Sequence, residues 1–286
     1  TPEIYTLSLH DALPISGIIA AMRGFHGRTL GALSATWNKK YREAFEPLVP
    51  DYSHVPYNNI GALEKAITGQ TAAVLLEVVQ GEGGVYPADP AYLEAVRELC
   101  TERGALLVID EVQSGFGRTG RMFAYQHYGI VPDILCVAKS LAGGIPMGAV
   151  LLGPAVKNLG PGLHGSTFGG NPLSCAAAVA ALTAIQEENL PQQAAEKGEY
   201  LKEKIRALNL PIVREVRGLG LMVGIELKQK VAPYIKALQE KRIIALNAGL
   251  TTIRLLPPLV ITYERLDTVV AALAEVLEQT TVDDGQ

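Results

Sequence analysis

Residues 131–153 read VPDILCVAKSLAGGIPMGAVLLG, and the fold is decided here. Ile134-Leu135-Cys136-Val137 is a short apolar run bounded by Pro132-Asp133, which predicts a buried strand. Periodicity stops at Ala138-Lys139-Ser140, and the chain passes through Gly143-Gly144-Ile145-Pro146. A second apolar run, Ala149-Val150-Leu151-Leu152, predicts another buried strand, closed by Gly153-Pro154. A lysine leaving a core strand into a glycine-rich loop is partly desolvated. Desolvation lowers an amine's pKa and enlarges its neutral fraction, the form that attacks carbonyls. Taken alone, Lys139 also reads as a snorkelling surface lysine that ends a strand.

Working outward, residues 105–120 read ALLVIDEVQSGFGRTG. Leu106-Leu107-Val108-Ile109 predicts a further buried strand, with Asp110, Glu111 and Gln113 at its end. Open α/β sheets bind ligands at the edge where their parallel strands end. An aspartate there is placed to hold a cationic ring nitrogen beside a Schiff-base lysine. The motifs GFHGRT (24–29), EVVQGEGG (77–84), IDEVQSGFGRTG (109–120), AKSLAGG (138–144), HGSTFGGNPLSC (164–175) and IRLLPPLV (253–260) extend the pattern. Together they resemble the class III (subgroup II) aminotransferases of fold type I, from Gly17 to about Val276. The nearest branch holds the acetylornithine enzymes and the carrier-protein-linked enzymes of lysine synthesis.

The resemblance implies an α/β fold: a mostly parallel large domain, here incomplete, with a smaller C-terminal α+β domain. It implies pyridoxal 5'-phosphate as cofactor, with Lys139 and Asp110 catalytic. Phe25, Glu111, Val112, Gln113 and Thr167 join those two in binding it; Phe25 stacks on the ring, and Gln113 lies on its hydroxyl side. Arg28, Glu82, Ser166 and Arg254 then face substrate. Arg28 supplies a planar fork for a carboxylate. Outside the motif, Phe25 also reads as core packing and Arg28 as half of a surface ion pair. The loop His164–Pro172 implies a homodimer, because in the family its threonine reaches the partner's cofactor phosphate; an ordinary hydroxyl turn is the plainer reading. Glu82 and Arg254 read as a gate or as a static interdomain salt bridge. The implied reaction moves the distal amino group of an N-blocked diamino acid to 2-oxoglutarate, with an amino-group carrier protein as a possible partner. Ornithine, 4-aminobutyrate and other ω-aminotransferases, aminomutases and an inactive fragment are the alternatives.

The bulk numbers fit this reading. The chain has 286 residues, 48% hydrophobic and 19% charged, with formal net charge −4. That charge argues against nucleic acid or an anionic membrane as the main partner. Cys100, Cys136 and Cys175 are dispersed in apolar surroundings and read as free thiols, neither a disulfide frame nor a metal site. No apolar run reaches eighteen residues, and no basic start leads into one, so a cytoplasmic setting is expected.

Along the chain, residues 1–16 match nothing in the family. They are expected to be foreign or divergent sequence, with the family's N-terminal phosphate-binding loop missing. Residues 17–186 form the expected large domain and 187–286 the small one. Gly17–Ala21 and Ala72–Val79 predict buried strands, and Ala62–Ile67 a brief helix. Residues 38–59 read as a loop. Asp89-Pro90 opens a helix whose inner face is Leu93, Val96, Leu99 and Cys100, ending at Gly104. Leu266, Val270, Leu273 and Leu277 repeat at helical spacing near the C-terminus. His26 reads as structural. Two competing motifs fail. LLVIDE resembles the acidic strand of P-loop ATPases, but no GxxxxGK[ST] accompanies it. Gly218–Gly224 is spaced one residue too long for a dinucleotide fingerprint and leads into a strand.

Overall fold

The structure, a computed structural model, describes residues 16–157 and 162–279. In its N-terminal half the strands are β1 (Gly17–Ala21), β2 (Tyr52–Val55), β3 (Thr71–Glu77), β4 (Val79–Gln80), β5 (Tyr86–Pro87), β6 (Leu106–Asp110), β7 (Ile134–Val137) and β8 (Ala149–Leu152). Six of them build one sheet in the order β2-β1-β3-β6-β7-β8, parallel except for β8, while β4 and β5 form a small ribbon. The helices between them are α1 (Leu30–Ala35), α2 (Lys39–Arg42), α3 (Ile60–Ala66) and α4 (Pro90–Arg103).

The mostly parallel sheet follows from its strands. Val74 and Leu76 of β3 and Leu107 and Ile109 of β6, alternate residues sharing one face, are fully buried, while Leu75, Leu106 and Val108 on the other face are half-buried. Helix α4 shows how local sequence sets the crossover. Pro90 occupies its first turn, Leu93, Val96, Leu99 and Cys100 are buried, and Gly104 ends it at φ +71°. There the Gly104 N–H caps the last turn on the carbonyls of Cys100 and Thr101.

Two expectations need correcting. The loop expected over 38–59 contains α2 and, between Pro50 and Pro56, the strand β2, which pairs parallel with β1. A four-residue edge strand with one buried side chain carries almost no apolar signal. The run Ala149–Leu152 is indeed a strand but not a buried one. As antiparallel β8 it hangs on the sheet edge, with Val150 59% and Leu152 48% exposed. Apolar composition tells what a strand is made of, not where in the sheet it lies.

Helices α5 (Pro172–Glu187) and α6 (Leu190–Ala207) lead to a second sheet. Its strands are β9 (Val213–Leu219), β10 (Met222–Leu227), β11 (Leu246–Ala248) and β12 (Thr252–Leu255), antiparallel in the order β11-β12-β10-β9. Helices α7 (Ala232–Glu240) and α8 (Tyr263–Gln279) complete it. Leu266, Val270, Leu273 and Leu277 are all buried in a cluster with Leu201, Ile205, Ile225 and Ile253. The first sheet has its own cluster, centred on Val74, Leu76, Leu93, Leu107 and Ile109.

The second half of the IDEVQSGFGRTG motif joins the two sheets. Leu221 N–H donates to the Arg118 carbonyl at 3.0 Å, and Arg118 donates to the carbonyls of Leu221 and Pro257. Gly220, at φ +52°, lies so close that an added Cβ would come within 2.5 Å of Thr119 backbone. No helix among the described residues is long and apolar enough to cross a membrane. The three thiols are free, Cys100 buried and the other two half-buried.

Candidate active site

The chain leaves β1 toward β2 on one side and returns to β3 on the other, so a switch point lies between β1 and β3. Ligands of open parallel sheets bind beside such a point. Register brings Glu77, the last residue of β3, beside Asp110, the last of β6, and Asp110 beside Cys136 of β7. Lys139 follows three residues on. Phe25 follows β1, and its N–H donates to Glu77 Oε2 at 3.0 Å across the switch point. Four strand ends therefore deliver Phe25, Glu77, Asp110 and Lys139 to one edge.

Asp110 is held firmly. It is buried, and its Oδ1 accepts from the Val112 N–H at 3.0 Å. Its Oδ2 lies 2.9 Å from Nδ1 of His26, whose side chain is 2% exposed. A carboxylate accepts, so this contact places the imidazole proton on Nδ1. The remaining nitrogen, Nε2, is buried and has no partner among the described residues. His26, read from sequence as structural, thus orients the acid proposed to meet the ring nitrogen.

Lys139 adopts φ +47°, a conformation that non-glycine residues rarely hold. The residue is exposed overall, open to solvent on one side. Protein nonetheless crowds its amine enough that desolvation draws its pKa down. The Asp110 carboxylate opposes that shift, and the Arg254 guanidinium reinforces it. The desolvation read from sequence is present in direction, on a residue more open than a strand-end lysine suggests.

Glu77 went unremarked as a site residue although it ends a buried strand. Burial pushes its carboxyl from 4.5 up to about 7; His26 pulls it down and Asp110 pushes it further up. Its oxygens accept from the N–H groups of Phe25 (3.0 Å) and Gly81 (3.1 Å). Between pH 4.5 and 7 the folded state keeps a proton that the unfolded chain has released, so this group's contribution to stability falls as pH rises. The fall is on the order of 3 kcal/mol from this residue. Denaturant melts of the wild-type chain and Glu77→Gln should show their stability difference shifting against the wild type across that window. A difference independent of pH would refute the raised carboxyl.

The other expected residues fall into two groups. Glu82 Oε1 pairs with Arg254 Nη1 at 2.9 Å, and Arg254 also donates to Gln113 Oε1 at 3.1 Å. Glu82, Gln113 and Arg254 are therefore one cluster, a link for Gln113 that spacing could not show. Phe25 and Glu82 line a cleft of about 700 Å³ with Tyr41, Gly83, Tyr86 and Thr252. Lys139 is not among its walls. Arg28 lies with its guanidinium 3.8 Å over the Tyr41 ring centroid and 5.7 Å from that of Phe25. Its guanidinium thus faces two aromatic rings.

The second group is not gathered there. Glu111 is buried with its carboxylate turned into the protein, accepting from Ser114 Oγ and Tyr125 N–H at 2.8 Å each. Ser166 and Thr167 are exposed on the loop before α5. Residues 1–15, with most of the segment expected to be foreign, lie outside the described residues.

The residues present fit the ring end of a pyridoxal cofactor: a buried, doubly anchored carboxylate, an aromatic after β1, and a crowded amine at the same edge. Among the described residues, no cluster of three or more histidine, cysteine or carboxylate side chains could hold a metal ion.

Comparison with known proteins agrees. Residues 11–277 match the family described as aminotransferase class-III, a match that begins inside the N-terminal segment. The chain is 51% identical over 266 residues to a [LysW]-aminoadipate semialdehyde transaminase of Deinococcus radiodurans, covering 92% of this chain and 62% of that protein. It is 48% identical to an acetylornithine aminotransferase of Methanocaldococcus jannaschii, covering 92% and 67%. The fold matches an ornithine aminotransferase of Toxoplasma gondii, solved with partial occupancy of its active site by pyridoxal phosphate. There the TM-score is 0.89 at 34% identity, covering 98% of this chain and 68% of that one. The chain thus spans about three fifths of the length of the first of these relatives.

Proposed function

Because this chain belongs to the class-III aminotransferases, we propose that it carries the ring-binding half of a transaminase site. In this reading it moves the distal amino group of an N-blocked diamino acid to 2-oxoglutarate. The observation that carries it is the convergence of Lys139 and a doubly anchored Asp110 at the ends of adjacent parallel strands. The two transaminases above, named for carrier-linked and acetylated substrates, support the substrate class.

When bound, pyridoxal 5'-phosphate supplies a protonated ring that withdraws electrons from the substrate carbon. Lys139 would hold the cofactor through its amine, and that amine, once free, would be placed to move a proton at the substrate carbon. Asp110 would hold a protonated ring nitrogen, and His26 and the Val112 N–H keep its two oxygens in place for that. Phe25 would stack on the ring face. Arg28 offers its free edge to a substrate carboxylate while Tyr41 supports its plane. Glu82 neutralises Arg254 while the cationic-tailed donor is bound and releases it to grip the dicarboxylate.

Assays with N-acetylornithine, ornithine and 4-aminobutyrate, each with 2-oxoglutarate, test the substrate. The blocked diamino acid should give the highest kcat/KM. Preference for either unblocked amine would remove it while leaving the chemistry intact.

The loop holding Ser166 and Thr167 is proposed to act across a homodimer interface. Supporting this, Leu163, Phe168, Leu173 and Val179 on and beside that loop are exposed, Phe168 by 81%. Large apolar side chains clustered on a surface mark contact sites. Mixing Lys139→Ala with Thr167→Ala subunits should recover activity above either parent, since some mixed dimers hold one unaltered site. No recovery in verified heterodimers would count against shared sites.

A further inference from the structure

The backbone carrying Glu82 is fastened on both sides. An added Cβ on Gly81 would lie 2.0 Å from Gln113 Oε1, and one on Gly83 would lie 2.8 Å from the Arg23 carbonyl. Gly83 thus packs against backbone and has no room to shift that way, while Gly81 meets the tip of the Gln113 side chain, itself held by Arg254. Beyond them, Gly84 at φ +125° and Val85 at φ +55° are buried. A β-branched residue at positive φ is strained and persists only where its surroundings hold it.

What holds Val85 is a row across the second sheet. Gly224 of β10 is register partner to both Arg217 of β9 and Arg254 of β12, and directly opposed residues of antiparallel strands share a face. Val85 sits on the bare centre of the row: a Cβ on Gly224 would come within 2.8 Å of Val85 Cβ. On one side Arg254 takes Glu82. On the other, Arg217 donates twice to the Gly84 carbonyl, from Nε at 3.0 Å and Nη2 at 2.7 Å. Its guanidinium also lies 3.7 Å over the Tyr86 ring centroid. Arg217 is itself buried and fixed by Glu226 Oε2 (2.6 Å) and Glu215 Oε2 (2.8 Å), and Tyr86 donates to the same Glu226 oxygen at 2.8 Å. A planar fork serving one carbonyl, two carboxylates and one ring face is work for arginine, not lysine.

We propose that Arg217 and Gly224 are positioning residues that clamp the Gly81–Tyr86 loop to the second sheet, so that Glu82 switches by rotating its side chain on a fixed backbone. This rests on the gate reading of Glu82 and Arg254, and it names what sets their meeting distance. The sequence suggests a glycine loop free to move; the packing assigns the motion to one side chain, that of Glu82, which is 37% exposed against 6% for Arg254. The row then determines which half-reaction the site favours without touching either substrate.

Hydrogen exchange over residues 81–87, with single-turnover rates of both half-reactions, tests this on the chain as it exists. Gly224→Ala changes no charge and lifts Val85, while Arg217→Lys keeps the charge and loses the fork. Each should speed exchange of the loop by about tenfold or more. Each should also slow the amine-donor half-reaction several-fold while leaving the 2-oxoglutarate half-reaction within about twofold. Adding Val85→Gly to Gly224→Ala removes the opposing Cβ and should restore both readouts. Should Arg217→Lys fail to fold, Gly224→Ala and its double variant decide alone. Unchanged loop exchange in a folded Gly224→Ala chain would overturn the clamp. So would equal slowing of both half-reactions where Glu82→Ala splits them, and the gate would then stand without it. If Glu82→Ala splits nothing, the gate reading fails instead, and exchange alone judges the clamp.

Discussion

Lys139→Ala should abolish the absorbance band of bound cofactor and lower turnover by at least about a thousandfold. The figure follows from losing a covalent anchor and a proton carrier together. Stability should barely change, because the residue is exposed overall and its φ of +47° is a strain that alanine inherits. A merely structural lysine gives the opposite pattern, a shifted melt with turnover largely kept. Spectral titration with pyridoxal phosphate, a thermal melt and a steady-state assay on the same preparation separate the two. Survival of activity within tenfold would make the lysine assignment wrong. Asp110 offers a graded companion. Asp110→Asn should still bind cofactor but turn over far more slowly, since a neutral amide cannot hold a ring-nitrogen proton.

Glu82→Ala should divide the two half-reactions. With the guanidinium of Arg254 left without its carboxylate and holding only Gln113, the glutamate/2-oxoglutarate half-reaction is kept or improved. The distal-amine donor meanwhile loses rate, and donors carrying an α-amino group are used more readily. The pair is 2.9 Å apart, with the arginine nearly buried and the glutamate partly open. Such a pair outweighs an exposed salt bridge yet still breaks within a catalytic cycle. A static interdomain bridge predicts instead a lower melting temperature and both half-reactions reduced alike. Single-turnover rates of each half-reaction decide between them, and equal losses would end the gate reading.

How far these residues could be read in advance depended on how local their signal was. Lys139 and Asp110 stand at the ends of short apolar runs, so the strand pattern alone delivered them to one sheet edge. The motif placed Phe25, Glu82 and Arg254, and all three carry local cues: an aromatic after a strand, a carboxylate among glycines, an arginine before paired prolines. The contact of His26 with Asp110 spans 84 residues of chain and that of Arg254 with Gln113 spans 141, and no spacing rule reaches across such intervals. Glu77 was legible as a strand end but not as a raised carboxyl, because its burial comes from neighbours on other strands. Arg217 was the least visible, since apart from Glu215 its partners Tyr86, Glu226 and Thr252 belong to three other strands and Gly84 to a glycine loop. The strand β8 misled for a related reason: apolarity was read correctly and position was not.

The central claim is that Lys139 is the amine that holds the cofactor, and hydride reduction tests it most directly. Borohydride treatment of the cofactor-loaded chain fixes the pyridoxyl group to whichever amine carries it, and peptide mapping by mass then locates it. The label should fall on the peptide containing Lys139, in one copy per chain, and should be absent from Lys139→Ala treated in the same way. A label spread over surface lysines, or found at one other lysine and undiminished in Lys139→Ala, would contradict the account.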